Sequence, residues 1–392
     1  MALSFPIYLD NHSTTRVDPR VLEAMLPYFN ENYGNAASKQ HAFGWKAEAA
    51  VEHARSGIAR LIGAESKEIV FTSGATESIN LALKGVAEAN ASRGNHIITA
   101  ATEHKAVLDT CKRLAESGLE VTVLPVDGAG HIDPDDVKRA MTPKTIMVSI
   151  MMANNEIGTV APVAEIGSFC RKAGVLFHTD ATQAVGKIPV DVTAMNIDLM
   201  SFSAHKMYGP KGVGALYVRA ARPKIRLSAQ MDGGGHESGL RSGTSNVPAI
   251  VGFGMAARLA EQEMAGERER LSILRDKLEK GITGHLDDVG VNGDHERRLP
   301  HNTNITFHGM MADRLIMDMK DIAVSTGSAC SSASPEPSHV LRALGMSDED
   351  VLASIRFGLG RFSTDEEIEY TINRVVQTVK AVRERSLQLA QS

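Results

Sequence analysis

Cysteine is scarce. The 392 residues hold three, Cys111, Cys170 and Cys330, without the paired spacing of a disulfide framework or a zinc site. Such usage suits a reducing compartment, so a cytoplasmic location is expected. Uninterrupted apolar runs are short, and none approaches the ~18 residues of a membrane span. The start, Met1-Ala2-Leu3-Ser4-Phe5-Pro6, has no basic stretch leading into an apolar core, so it does not read as a secretion signal. A basic stripe is also missing. The 42 Lys and Arg stand against 47 Asp and Glu, a net charge of −5 with the signs interspersed, which argues against direct nucleic-acid binding. The 14 histidines lack clustered ligand spacing, so a metal-binding protein is disfavoured. Internal repeats and low-complexity segments are absent.

What remains is ordinary globular composition, 43% hydrophobic and 23% charged. The length exceeds the ~250–300 residues at which one core stops growing, so two domains are expected. From about residue 50 to 255, strand-like and helix-like segments alternate. Strand candidates are 68–72, 96–100, 120–126, 145–151, 175–178, 198–203 and 214–218, with amphipathic stretches at 77–89 and 163–173. This alternation predicts an α/β fold with a largely parallel sheet covered by helices. A long helix over 256–282, apolar at Leu259, Met264, Leu271, Leu274 and Leu278, bridges to a second unit. That unit holds a strand at 304–307 and helices near 337–344, 348–353 and 365–389.

Two neighbouring apolar runs carry the chemistry. Val175-Leu176-Phe177-His178-Thr179-Asp180-Ala181-Thr182-Gln183 ends in a carboxylate and an amide. Asp198-Leu199-Met200-Ser201-Phe202-Ser203-Ala204-His205-Lys206 ends in a hydroxyl, an imidazole and an amine. In a parallel sheet, ligands bind outside the carboxyl ends of the strands. An amine beside a carboxylate suits pyridoxal phosphate: the amine forms the Schiff base and the carboxylate keeps the pyridine nitrogen protonated. Alone, Asp180 reads as a strand-end cap and Lys206 as a surface lysine; their matching strand ends favour the cofactor. Ile69-Val70-Phe71-Thr72-Ser73-Gly74-Ala75-Thr76-Glu77-Ser78 reads as strand, glycine turn and helix start, a junction that favours phosphate. Taken alone it reads as a plain helix start capped by Ser73 or Thr76. Cys330 stands in a run of small residues, Ser325-Thr326-Gly327-Ser328-Ala329-Cys330-Ser331-Ser332-Ala333-Ser334. A packed core thiol has bulkier neighbours, so this reads as a mobile surface loop. Cys111 and Cys170 fall within helical patterns and read as small core residues.

Together these motifs resemble the cysteine desulfurases of the IscS/NifS type. The match runs through Tyr8-Leu9-Asp10, Thr102-Glu103-His104-Lys105-Ala106-Val107, Asn154-Asn155-Glu156-Ile157-Gly158 and Ser354-Ile355-Arg356-Phe357 as well as the runs above. The resemblance implies a fold-type-I pyridoxal phosphate enzyme, a homodimer that turns L-cysteine into L-alanine and leaves a persulfide. It implies a large domain over 16–258 with a mostly parallel seven-stranded sheet. A smaller α/β domain of 1–15 and 259–392 would carry the cysteine loop. Lys206 would be the Schiff-base lysine, Asp180 would face the pyridine nitrogen, and Gln183 would bond the ring's phenolic oxygen. His104 would stack on the ring and shuttle a proton. Ala75, Thr76, Ser203 and His205 would belong to the cofactor site at its phosphate end, and Thr244, in a glycine-rich run, would reach the other subunit's phosphate. Asn155 and Arg356 would hold the substrate carboxylate, and Cys330 would take the sulfur. The sulfur would go to iron–sulfur clusters or tRNA thiolation through an acceptor or scaffold protein. A selenocysteine lyase or another lyase on the same fold is the alternative, and a non-catalytic partner protein a more distant one.

The chain departs from the family pattern in places. His12 stands where a small or amide residue is usual and Ser13 where alanine is usual, which puts His12 near the substrate entrance with an effect on acid–base behaviour. By residue type alone, His12, His41, His178, His236 and His339 read as packing or surface residues. Ala36 replaces a common proline. The C-terminus stops soon after Glu384-Arg385-Ser386-Leu387, short of a tail that helps dock a scaffold protein.

Overall fold

The computed structural model describes residues 3–220, 224–326 and 337–390, so Cys330 and most of its loop lie outside the described residues. In chain order the strands are β1 (Ile7–Tyr8), β2 (Ile69–Thr72), β3 (His96–Ala100), β4 (Glu120–Leu124), β5 (Thr145–Ser149) and β6 (Leu176–Asp180). They continue with β7 (Leu199–Ser203), β8 (Gly214–Val218), β9 (Val289–Asn292), β10 (Asn302–Phe307), β11 (Ile322–Ala323) and β12 (Ser354–Gly358). Each of the seven strand candidates in the first half is a strand. β4 and β5 each end two residues before the expected 126 and 151, and β6 runs two residues past the expected 178 and so includes Asp180.

Strands β2 to β8 form one seven-stranded sheet in the order β2-β8-β7-β6-β5-β3-β4. The pairs from β7 to β4 are parallel, and β8 is antiparallel to both β2 and β7. Six carboxyl ends therefore share one edge, where β8 presents its amino end, Gly214.

Consecutive residues of a strand point to opposite faces. Phe71, Ile98, Val148, Phe177, Met200 and Phe202 join a core with the helices Ala42–Leu61, Val163–Ala173 and Val247–Thr283. Their strand neighbours Val70, Ile97, Met147 and Leu199 join a second core under the helices Ala75–Ala89 and Lys105–Glu116. Burial on both faces explains why these strands read as continuous apolar runs. Cys111 and Cys170 are buried within these cores, as their helical pattern predicts.

The helix Val247–Thr283 is 37 residues long, starting nine residues before the expected 256, and spans about 55 Å at ~1.5 Å per residue. Its first part, through Ala260, packs in the large core. Leu271, Leu274, Leu278 and Ile282 pack in a separate core with Ile7, Leu9, Ile305, Phe307 and Phe357. That core lies on the antiparallel sheet β12-β10-β9 and the parallel pair β1-β11. Among the described residues, no helix is long and apolar enough to cross a membrane.

One close approach shapes the shared edge. A Cβ on Gly214 would lie 2.6 Å from the Cα of Gly74 and 2.7 Å from the Phe202 carbonyl oxygen. Backbone on both sides cannot yield cheaply, so only glycine lets β8 pass the turn before the helix Ala75–Ala89. Gly214→Ala is expected to lower unfolding stability by about 1–3 kcal/mol, the usual range for overpacking, read from the urea midpoint of the purified protein.

Candidate active site

A cavity of about 460 Å³ opens at this edge, within the roughly 300–1,000 Å³ typical of small-molecule sites. Five strand ends furnish it, because the segments after β2, β3, β5, β6 and β7 all leave the sheet on the same side. Ala75, Thr76, His104, Asn155, Asp180, Gln183, Ser203, His205 and Lys206 all line it.

At one end stands the first turn of the helix Ala75–Ala89. Its N-cap is Gly74, which has no side chain to cap with. The Glu77 carboxylate instead accepts from the Ser73 N–H at 2.8 Å, so neither Ser73 nor Thr76 is the cap expected from sequence. First-turn N–H groups lack intrahelical acceptors and favour an anion. Thr76, Ser203, His205 and Lys211 surround this end. His205 Nδ1 pairs with the Thr14 hydroxyl at 3.1 Å. Burial, reinforced by the Lys206 and Lys211 charges, pushes the His205 imidazole down to about 4, so it is neutral at neutral pH.

Lys206 closes the single 3-10 turn Ala204–Lys206 directly after β7. Its amine donates to the carbonyl of His12 and, at 2.6 Å, to that of Ser13. Tyr208 follows with φ +64°, a conformation costing of order 1–3 kcal/mol in a non-glycine residue. Its N–H donates to Thr15 Oγ1 at 2.9 Å and its hydroxyl accepts from the Arg361 N–H at 2.6 Å. These contacts hold the strained turn that aims Lys206.

Asp180 ends β6. Thr182 grips its Oδ1 with the backbone N–H at 2.9 Å and with the hydroxyl. Gln183 follows and is tied at both ends to His12. His104 caps the helix Lys105–Glu116, where its Nδ1 accepts from the Ala106 N–H at 3.1 Å. In the neutral ring this leaves the proton on Nε2. Asn155 is presented by a turn in which Asn154 Oδ1 accepts the N–H groups of Glu156 and Ile157 at 2.8 and 3.0 Å. Arg356 lies behind the cavity lining, 1% exposed, donating to the Asn155 carbonyl (2.9 Å), Asp10 Oδ1 (2.8 Å) and Ser13 Oγ (3.0 Å). Its Nε is buried without a partner among the described residues.

Thr244 is exposed and does not line this cavity. Its loop is nevertheless strapped to the first turn of the helix Ala75–Ala89, because Arg241 Nε donates to Glu77 Oε1 at 2.8 Å. Cys330 lies outside the described residues. Two features went unread in the sequence, whereas His12, expected near the substrate entrance, lines the cavity. Lys211 and Gly212 line it too, and their place just before β8 was the available signal. Glu103, beside His104, is fully buried with Oε1 accepting from the Met151 N–H.

The class-V aminotransferase family profile matches residues 7–371. Cysteine desulfurase IscS of Anaeromyxobacter dehalogenans strain 2CP-C is 59% identical over 384 residues, which is 98% of this chain and 95% of that protein. The chain belongs to the class-V aminotransferase family, in its cysteine desulfurase branch. Cysteine desulfurase IscS of Methylococcus capsulatus is 54% identical, again across 98% of this chain and 95% of the relative. Among solved structures, a NifS-like protein is 38% identical with a TM-score of 0.89, covering 95% of this chain and 99% of the other. SspA in complex with cysteine is 38% identical with a TM-score of 0.79, over 91% of this chain and 100% of the other. Enzymes of this family work with pyridoxal phosphate. The cavity suits it: an amine, a buried carboxylate and an uncapped helix N-terminus stand around one space.

Glu103 allows a direct check of this burial. Desolvation, with Asp180 nearby, pushes its carboxyl well above the ordinary 4.5, so the folded protein keeps a proton that the unfolded chain releases. The native state then binds more protons, and this contribution to stability is lost as pH rises above about 4.5. Glu103→Gln, which mimics the neutral acid, is expected to gain stability relative to wild type between pH 5 and 8 in ~1-unit steps of urea unfolding. A constant difference across that range excludes a neutral Glu103.

Proposed function

We propose that this protein converts L-cysteine to L-alanine and passes the sulfur to Cys330 as a persulfide. The observation that carries this reading is the convergence of Lys206, Asp180, His104 and an uncapped helix N-terminus on one cavity. The family membership supports it, and so does the relative SspA, whose structure contains cysteine.

Bound pyridoxal phosphate withdraws electrons from the substrate's α-carbon. The residues do the rest. Asp180, steadied by Thr182, holds a proton on the ring nitrogen. Ala75, Thr76, Ser203 and His205 hold the phosphate. Lys206 Nζ takes the α-proton and returns a proton to carbon. Because Ala106 occupies His104 Nδ1, His104 exchanges protons with the substrate thiol through Nε2. Asn155 and Arg356 hold the substrate carboxylate. Arg356 stands next to this place, since it bonds Asn155 and Ser13, which line the cavity, at 2.9 and 3.0 Å. The Cys330 thiolate bonds to the substrate sulfur as the Cβ–S bond breaks, and the bonding pair stays with carbon to give alanine.

The other two thiols are unsuited to this step. Burial pushes Cys111 and Cys170 each up to about 12, and the thiolate is the nucleophile. Cys330 is the third of the three cysteines. We further infer a cytoplasmic homodimer in which Thr244 completes the partner subunit's phosphate site, with delivery of sulfur to an acceptor or scaffold protein for iron–sulfur clusters or tRNA thiolation.

With L-cysteine and a reductant, the cofactor-loaded wild type is expected to form alanine. Cys330→Ala should lose at least ~100-fold in rate, as removal of a covalent nucleophile does, while Cys111→Ser and Cys170→Ser should keep it. Alanine from Cys330→Ala at the wild-type rate sinks the persulfide assignment and favours a lyase. Arg356→Lys should raise KM for cysteine by about tenfold or more with a smaller change in kcat, the size of one charge-assisted hydrogen bond. An unchanged KM removes Arg356 from the carboxylate site.

A further inference from the structure

His12 grips Gln183 at two points. Gln183 Nε2 donates to the His12 carbonyl at 3.0 Å. Its Oε1 stands 3.0 Å from His12 Nδ1. A carbonyl oxygen accepts only, so the amide cannot be turned over: that would set Oε1 against the His12 oxygen. With Oε1 fixed on the ring, Nδ1 must carry the hydrogen of the neutral imidazole.

The ring itself has little freedom. It is 1% exposed and stacks on His301 at 4.5 Å between centroids, with 19° between planes. A Cβ on Gly358 would come 2.7 Å from His12 Cδ2, so β12 has glycine where the ring passes. The charged groups that act on it are Arg356, Lys206 and Lys187. Burial and these three cations push it far below the ordinary imidazole range, which keeps it neutral. The second nitrogen, Nε2, is then a bare lone pair, and it has no partner among the described residues. An unmet buried acceptor is unfavourable. The arrangement thus favours the grip on Gln183 over full satisfaction of the ring.

Gln183 lines the cavity. Its oxygen is occupied by the His12 Nδ1–H and one amide hydrogen by the His12 carbonyl. One amide hydrogen remains for the cavity, and because the amide cannot turn over, its oxygen stays on the His12 side. We propose that His12 is a positioning residue that locks the Gln183 amide against turning over, so that its free N–H is the group set toward the cofactor. This rests on the pyridoxal phosphate reading. A donor on the ring oxygen satisfies part of its negative charge, so the proton shared with the neighbouring lysine nitrogen is held less tightly. Without the lock that proton is held more tightly.

The test has two readouts besides activity. In apoprotein labelled with nitrogen-15 histidine, one buried neutral ring assigned by its loss in His12→Ala should carry its proton on Nδ1; a proton on Nε2 overturns the lock. In the cofactor-loaded protein, the pH midpoint of the visible absorbance should rise by about one unit in His12→Ala, the scale of one hydrogen bond to a charged oxygen. Gln183→Ala should shift it the same way, and the double variant no further than Gln183→Ala alone. His12→Asn, which keeps a side-chain donor, should restore part of the shift and serves if His12→Ala fails to fold. An unchanged midpoint in both His12 variants, or shifts that add in the double variant, overturns the proposal. If wild type acquires no visible absorbance that Lys206→Ala lacks, the cofactor reading itself falls, a result distinct from an unchanged midpoint.

Discussion

The site depends on where the N-terminal segment is pinned. Leu9 accepts from Gly358 N–H at 2.7 Å and Asn11 N–H donates to the Gly358 carbonyl at 3.1 Å, which fixes the segment to β12. A few residues on, Thr15 N–H donates to the His205 carbonyl and Asp18 N–H to the Tyr208 carbonyl, both at 3.0 Å. Residues 9 to 18 are thus bonded to β12 at one end and to the Lys206 turn at the other. Each such bond contributes only ~0.5–1.5 kcal/mol, but together they set the height of the His12 and Ser13 carbonyls that receive the Lys206 amine. The amine, the Gln183 amide and the Arg356 guanidinium all take their positions from this strap.

A charged cluster holds the strap from below. Arg361 bonds Asp18 Oδ2 and Glu267 Oε2, both at 2.8 Å, and its guanidinium carbon lies 4.3 Å from the Tyr208 ring centre. Lys187 Nζ lies 3.7 Å from the same ring centre. Burial pushes the Lys187 amine down to about 8, and at 3.5 Å Glu267 offsets this only in part. Arg361 is the better partner, because a guanidinium sheds water more readily and forks to two carboxylates. The cluster therefore fixes geometry more than it stabilises, as buried ion pairs commonly do. It clamps the aromatic ring of the one strained residue in the Lys206 turn.

Much of the large sheet is legible in the chain because its strands are buried on both faces and appear as apolar runs broken by turns. The last unit was harder to read. β9 is partly exposed along its whole length, and its Val-Gly-Val-Asn pattern lacks a run. β12 holds Arg356 in the middle of a buried strand, and a charge there masks the apolar signal. The long helix starts earlier than its leucine pattern suggests, since small residues such as Ala256 and Gly252 fill its inner face against neighbouring elements.

The sequence alone determined the chemistry at hand: Asp180 and Lys206 at neighbouring strand ends, a glycine turn before a helix, and a thiol among small residues. Each of those signals is short-range, written within a run of about ten residues, and period and spacing expose it. Only the tertiary structure decided how the groups are held. His12 meets Gln183 across 171 positions, Lys206 meets the Ser13 carbonyl across 193, and Arg356 meets Asp10 across 346. Contacts at such distances follow from strand order and from where the strap is pinned, and no local pattern encodes either. The same folding buries Cys111 and Cys170 in cores where burial keeps them protonated.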